Sequence, residues 1–353
     1  MINSIRLQHY RSYQDDSFEP DPAVNIIVGP NASGKTNLLE SILVSAQGKS
    51  YRNSDEDLIR HQSEWGRVDI QLDDGSRILK LRRQNSKTNK QFVIGDTTLS
   101  RLSRQRFLPV VIFEPNNLAM LHGSPDGRRE YFDTLLEKIQ PNFLQQRRHY
   151  KRALAQRNAL LKSGNASVDN VFVWDVRLSE LGGSIAGARQ KLLTSLAGDT
   201  QNAYTDIADS SVSLTFVYKT PCQVDGYSND MLRRLKANFR SDVERGFTSI
   251  GPHRDDIEVR FDDYPAREVA SRGEARTAIL ALKIQEAKLI EQAFGKKPVL
   301  LLDDVFSELD GSRRRHLTDF LQDYQAFITT TDADIVVQHF MQKCNIIPLS
   351  STD

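Results

Sequence analysis

The sequence predicts an α/β fold split by a mainly helical insertion, and three observations carry that expectation. An apolar run, Ala23 to Val28, ends at Gly29 and passes through a glycine-bounded turn into a helical pattern with Leu38, Leu39, Ile42 and Leu43 on one side. From Asp126 to about Ala208 helical spacing dominates, broken by a small, polar loop at Ser163 to Asn170. Apolar strands then return at 298–303 and 326–330, with a helix at 311–323 between them. This order reads as one α/β lobe, interrupted and resumed. The expected boundaries are 1–120 with 247–353 for that lobe and 121–246 for the insertion.

Taken in order, Ile2 to Leu7 alternates in part and predicts a strand, and the helix after the turn should cover Thr36 to about Ala46. Segments 67–72, 77–82 and 91–94 read as hairpin strands, with Asp73-Asp74-Gly75 as a turn. Leu108 to Phe113 is a further apolar strand. In the insertion, Tyr131, Phe132, Leu135, Leu136 and Ile139 recur at helical spacing in a charged stretch running to about Leu161. A second helix spans about Phe172 to Ala208, and strand character returns at Ser211 to Tyr218. A helix at about 273–293 precedes the strand at 298–303.

Composition removes several classes. The chain has 353 residues, long enough to bury a large core, with 39% hydrophobic and 26% charged residues. No apolar run approaches the roughly 18–20 residues that cross a bilayer. The opening MINSIRLQHYRSY lacks an apolar core behind a basic head, so no secretory signal is expected. Cys222 and Cys344 stand far apart without a CxxC, which argues against a disulfide framework or a zinc site and for a reducing, cytoplasmic setting. With 47 Lys+Arg against 46 Asp+Glu the net charge is +1, which excludes only constitutive coating of nucleic acid by charge.

The strongest motif is Gly29-Pro30-Asn31-Ala32-Ser33-Gly34-Lys35-Thr36, a GxxxxGK[ST] sequence between a strand and a helix. Glycines at its ends let backbone N–H groups wrap phosphate oxygens, and the helix adds its positive N-terminus. Lys35 would reach the β- and γ-phosphates of ATP, and the Thr36 hydroxyl would ligate Mg²⁺. A second element, Val299-Leu300-Leu301-Leu302-Asp303-Asp304, is an apolar strand ending in two carboxylates. Asp303 would hold Mg²⁺, and Asp304 would polarise the attacking water.

Spacing narrows the class. Lys35 and Asp303 lie 303 − 35 = 268 positions apart, far more than in small GTPases. About thirty residues before Asp303, Ser271-Arg272-Gly273-Glu274-Ala275-Arg276 opens a helix, and Ser271 and Gly273 offer a second anion site. Ser307-Glu308-Leu309-Asp310 follows as a D-loop. This order is that of an ABC-type P-loop ATPase head, in which the signature helix of one copy caps the γ-phosphate held by the other.

The chain resembles the SMC-like branch of these ATPases, and within it the RecF family. The resemblance rests on Leu7-Gln8-His9-Tyr10-Arg11-Ser12-Tyr13, GPNASGKTNLLESI, Gly48-Lys49-Ser50-Tyr51-Arg52, Gly123-Ser124-Pro125 with Arg128-Arg129, Gln156-Arg157-Asn158-Ala159-Leu160-Leu161-Lys162, Gly251-Pro252-His253-Arg254-Asp255-Asp256 and LLLDDVFSELD. It implies an ATP-dependent homodimer that binds gapped or duplex DNA. It further implies weak, DNA-stimulated ATP hydrolysis and work with RecO and RecR to help RecA load at single-strand gaps, supporting replication and the SOS response. Departures from the family pattern are Ala32 for glycine, Glu274 for glutamine, Thr331 and Asp332 where a histidine would follow the strand, and Asp304 for the glutamate of most ABC proteins. They bear on hydrolysis more than on binding.

The remaining candidates divide into structural and functional expectations. His253 has no nucleophile around it, and Arg254, Asp255 and Asp256 suggest a structural polar network. Arg11 and Arg52 would sense phosphate or form surface ion pairs. The helix 147–162 carries Arg147, Arg148, Lys151, Arg152, Arg157 and Lys162 and offers a DNA-facing surface or a solvated face. Trp65 and Trp174 are expected in the core. Besides the repair switch, an SMC-like ATPase of a phage-defence type remains, which would bring an extra nuclease; no acidic metal cluster suggests one. A transporter subunit would not carry this insertion.

Overall fold

A computed structural model describes residues 1–52, 54–84, 87–338, 340 and 344–350 of the chain. The residues fall into two compact units, Met1–Asn117 with Glu286–Asp353, and Leu118–Gln285. Each is built from its own sheets.

The first unit opens with β1 (Ile2–Tyr10) and β2 (Tyr13–Phe18), then β3 (Val24–Val28), α1 (Lys35–Gln47), β4 (Trp65–Leu72), β5 (Gly75–Gln84), β6 (Lys87–Ile94), β7 (Thr97–Leu99) and β8 (Val110–Phe113). Six of these strands make an antiparallel sheet in the order β2-β1-β4-β5-β6-β7. Period-two alternation is clear in β4, where Gly66, Val68, Ile70 and Leu72 turn inward and their neighbours outward. The inward rows join Leu38, Leu39, Ile42 and Leu43 of α1 in one apolar cluster. Each fully buried Leu or Ile of that kind contributes roughly 1.5–3 kcal/mol.

The second unit contains α2 (Ala119–His122), α3 (Pro125–Ile139), α4 (Phe143–Lys162), the long α5 (Val168–Ala208), β9 (Leu214–Lys219), α6 (Tyr227–Ala237), α7 (Phe239–Arg245), β10 (Asp256–Phe261), β11 (Tyr264–Pro265), α8 (Ala266–Val269) and the start of α9 (Arg272–Phe294). The charged helical stretch expected from Asp126 to Leu161 is two helices, because the Gln140-Pro141 step cannot continue a helix. Ser124 caps α3 by accepting from the Gly127 N–H at 3.3 Å, and Ser167 and Asn170 form a reciprocal capping box on α5. Residues 247–285 belong to this unit by contact, since β10 pairs antiparallel with β9 and β11.

The chain then returns to the first unit with β12 (Val299–Asp303), α10 (Gly311–Leu321), β13 (Ala326–Thr330), α11 (Ala333–Val337) and β14 (Cys344–Pro348). These complete a second sheet, β14-β3-β13-β12-β8, whose described pairs are all parallel. Both faces of β3, β12 and β13 are covered, which is why their sequences are continuous apolar runs rather than alternating ones. Asn25, fully buried in β3, is kept satisfied by donating to the Asp21 carbonyl (2.9 Å) and accepting from the Asp21 N–H (2.6 Å). The parallel pairing brings the carboxyl ends of β3, β13 and β12 side by side, the position at which open α/β sheets bind ligands.

Candidate nucleotide-binding site

The loop from Gly29 to Gly34 joins the carboxyl end of β3 to the N-terminus of α1. Gly34 has φ 95°, and a Cβ there would stand 2.7 Å from Ser12 Oγ and 3.0 Å from the Tyr13 hydroxyl. A Cβ on Gly29 would meet the Leu349 carbonyl and Ser33 Oγ at 2.6 Å each. Both positions therefore require glycine for reasons of space. Ala32 also sits in the left-handed region, at φ 67°, where its methyl costs about 1 kcal/mol. The absence of glycine at that position thus falls on a residue whose backbone asks for one. The first turn of α1 holds no acidic residue, leaving its positive end uncompensated for an anion.

Lys35 bends back over the loop and donates from Nζ to the carbonyls of Gly29 (2.7 Å) and Pro30 (2.8 Å). Desolvation lowers its ammonium pKa below the ordinary value, and the carboxylates of Asp304 and Asp303 offset part of that shift. The Thr36 hydroxyl donates to Asp303 Oδ1 at 2.9 Å, so the predicted metal pair is brought together across 267 residues of chain. Ser33 Oγ is buried with no partner among the described residues.

Asp303 is held from several sides. Thr329, at the end of the intervening strand β13, donates to its Oδ1 at 3.0 Å, and the Tyr51 hydroxyl donates to its Oδ2 at 3.1 Å. Arg52 stands 4.0 Å from the same Oδ2. Burial and the adjacent carboxylate push the Tyr51 phenol pKa well up, so it remains a proton donor. Asp304 follows in the left-handed region at φ 53°, its N–H donating to Thr329 Oγ1 at 2.9 Å and its side chain exposed. Its carbonyl accepts from Ser307 Oγ at 2.7 Å, which ties the expected D-loop to the carboxylate pair.

Tyr51, Thr329 and Glu40 were not assigned roles from sequence. Glu40, 1% exposed, takes a bidentate pair from Arg11 (2.8 and 3.1 Å) and a hydrogen bond from Ser50 Oγ. Arg11 is thus engaged in a largely buried ion pair rather than a surface one. Ser50 also accepts the Arg52 N–H at 3.0 Å, so Glu40 anchors the loop that carries Tyr51 and Arg52. Asp332, at the expected switch position, caps α11 by accepting from the Asp334 N–H at 3.0 Å.

The signature segment belongs to the second unit. Ser271 Oγ accepts from the Glu274 N–H (3.2 Å), and a Glu274 carboxylate oxygen accepts from the Ser271 N–H (2.8 Å). This is a capping box, and glutamine would serve it equally. Gly273 lies within the first turn of α9, where its carbonyl accepts from the Thr277 hydroxyl at 3.0 Å.

The other family-specific stretches are structural. Arg157 is fully buried and donates to Asp175 (2.6 Å), Asp242 (2.7 Å) and Thr248 (2.9 Å), while Asn158 accepts from the Thr248 N–H (2.8 Å) and hydroxyl (2.7 Å). Arg147 pairs with Glu130, Glu137 and Asp133, leaving Arg148, Lys151, Arg152 and Lys162 as the exposed cations of the basic helix. His253 accepts from the Tyr150 hydroxyl at Nδ1 (2.6 Å) and donates from Nε2 to the Thr248 carbonyl (3.0 Å). Burial lowers its pKa to about 4, so it is neutral and serves no acid–base role there. Asp255 accepts from the hydroxyls of Tyr218 and Tyr227 at 2.6 Å each, and Asp256 takes a bidentate pair from Arg128 (2.8 and 2.7 Å). Arg254 departs from the expected network: it is exposed and stacks on Phe247 at 4.8 Å. Trp65 is no core residue either, being 44% exposed on the antiparallel sheet, because its strand position faces outward.

A glycine-cradled loop facing an acid-ended strand across one intervening parallel strand, with an antiparallel sheet at its side and a helical unit spliced in, is the fold of an ABC-type P-loop ATPase head. The family described as RecF/RecN/SMC N terminal domain matches residues 1–347. The chain is 32% identical to DNA replication and repair protein RecF of Clostridium tetani, covering 99% of this chain and 98% of that protein. With the same protein of Clostridium botulinum the identity is 34%, covering 97% and 95%. A solved structure of the recombination mediator protein RecF with ATP superposes with a TM-score of 0.85 at 29% identity, covering 94% of this chain and 92% of that one. An SMC head bound to the C-terminal winged-helix domain of ScpA shares the fold at a TM-score of 0.54 and 14% identity, covering 96% and 91%. The chain belongs to the RecF family.

Proposed function

We propose that this chain is an ATP-driven switch of recombinational DNA repair, binding ATP and Mg²⁺ at the Gly29–Thr36 loop and dimerising on DNA. The observation that carries this reading is the 2.9 Å contact between the Thr36 hydroxyl and Asp303 beside a loop that admits only glycine at its two ends. Relatives named DNA replication and repair proteins, and a relative solved with ATP, support it.

The backbone N–H groups of Gly29, Pro30's neighbours Asn31, Ala32 and Ser33, and Gly34, Lys35 and Thr36 would surround the phosphates, with the Pro30 carbonyl closing the loop. Lys35 would exchange the Gly29 and Pro30 carbonyls for phosphate oxygens. Thr36 and Asp303 fit a hard cation that takes few protein ligands, as Mg²⁺ does. Bound there, Mg²⁺ would neutralise charge on the phosphate oxygens. Asp304 would accept a proton from the attacking water, its short side chain limiting reach, and ATP hydrolysis would be slow, weak and stimulated by DNA. Ser271 and Gly273 of a second copy would close over the nucleotide, each shared ATP joining two copies in a homodimer.

On this reading the protein works in the cytoplasm with RecO and RecR, helps RecA load at gapped or duplex DNA, and supports replication and the SOS response. Among the described residues no helix is long and apolar enough to cross a membrane. The test is light scattering of the wild type and Ser271→Arg with and without ATP and Mg²⁺. The wild type should double in mass with nucleotide and the variant should stay monomeric. Equal dimerisation of both would remove the signature from the interface.

A further inference from the structure

We propose that the solvent face of the six-stranded antiparallel sheet binds single-stranded nucleic acid, with Trp65 as the stacking surface and Lys80, Arg82 and Lys87 as the phosphate contacts. The proposal rests on the reading of the chain as a DNA-binding protein and adds the surface and the form of the strand.

Register carries the argument. Residues facing each other across antiparallel strands share one side of the sheet. Trp65 faces Arg82, which faces Asn89; Arg67 faces Lys80, which faces Gln91; Gln84 faces Lys87. The intervening positions Gly66, Val68, Leu79, Leu81 and Phe92 are buried in the core beneath. The outward rows therefore bring an aromatic ring, cations and amides together on one surface.

The charge on that surface is not internally cancelled. Arg6 is paired with Asp15 and Arg67 with Asp69. Lys80, Arg82 and Lys87 have no ion pair or hydrogen bond among the described residues, and all three are exposed. A tract of uncompensated cations attracts the phosphate backbone and releases its counterions. Trp65 adds what charge alone cannot. It is 44% exposed, and its orientation is fixed by an edge-to-face contact with His9 at 4.6 Å. An indole held in solvent beside a cation is a platform for an unstacked base, and only a single strand presents base faces. Asn89 and Gln91 supply donors and acceptors for base edges or sugars without demanding a sequence.

Trp65 and Trp174 are the only tryptophans of the sequence, so Trp174→Phe leaves Trp65 as the single emitter. Full-length protein in this background is titrated with oligothymidylate and with duplex of equal length, with and without ATP and Mg²⁺, following both tryptophan emission and oligonucleotide anisotropy. Oligothymidylate should quench Trp65. Trp65→Ala should weaken its binding roughly tenfold. The double variant Lys80→Glu with Arg82→Glu should weaken it at least as much and lower the salt slope by about 0.7 per lost contact. Thermal unfolding of these surface variants should match the wild type. Binding of oligothymidylate without quenching, or with unchanged affinity in both variants, overturns the assignment of this face. A wild type that binds neither single strand nor duplex in any nucleotide state overturns the DNA-binding reading itself.

Discussion

The nucleotide loop and the buried networks of the helical unit are both built from charged side chains, but they differ in how their partners are held. Around Asp303 the donors are hydroxyls, those of Thr36 and Tyr51 at half-buried positions and that of Thr329 fully buried, and the half-buried Lys35 nearby rests on backbone carbonyls. Around Arg157 the partners are two carboxylates and a threonine, and the guanidinium and Asp242 are both fully buried. The first set can exchange partners at small cost when an anion arrives, whereas the second would expose unpaired charge. The QRNxLLK and GPHRDD stretches, the most family-specific in the sequence, thus define a scaffold, and the widely shared GxxxxGK[ST] motif defines the chemistry.

If that contrast is right, the largest effect on stability comes from the helical unit. Arg157→Leu leaves Asp175 and Asp242 buried without their partner and should cost about 3–5 kcal/mol, read as a lowered urea midpoint or failure to fold. A change under 1 kcal/mol would mean that the network is not structural. The effect of pH is smaller. His253 is neutral when folded, with its pKa lowered to about 4, whereas the unfolded imidazole titrates near 6.5. Its contribution is complete above pH 6.5 and is lost as pH falls from there towards 4, by about 2 kcal/mol at pH 5. Burial raises the Asp255 carboxyl above its ordinary range, so its earlier protonation in the folded state offsets part of the loss. Urea midpoints at pH 7 and pH 5 should show a smaller difference for His253→Gln than for the wild type.

The smallest effect belongs to the loop. Ala32→Gly removes a methyl from a left-handed residue and should stabilise the protein by about 1 kcal/mol or less, read as a slight rise in melting temperature. A decrease would show that the loop gains more from stiffness than it loses to strain.

The phosphate loop and the acid-ended strand were legible because their chemistry is local: a turn that needs glycine, and a buried strand with carboxylates at its exit. Tyr51 and Thr329 were not, because Tyr51 reaches Asp303 from a distant loop and Thr329 through parallel strand register, neither of which a local pattern encodes. Strand β2 went unread since its QDDS segment faces solvent and hides the alternation. Helices α6 and α7 are short and charged, α6 burying one stripe of Tyr227, Asp230, Met231 and Leu235 and α7 burying Asp242 alone. Arg157 looked like one cation among six on a basic helix. Its burial depends on Asp175 and Asp242, 18 and 85 residues away.

The central claim is that Lys35, Thr36 and Asp303 form a site for Mg²⁺ and ATP, and calorimetric titration of ATP tests it most directly. Wild type should bind ATP more tightly with Mg²⁺ than with chelator, and Lys35→Met should lose binding by at least a hundredfold at an unchanged melting temperature. Equal affinity of wild type and Lys35→Met for ATP in the presence of Mg²⁺ would contradict the account.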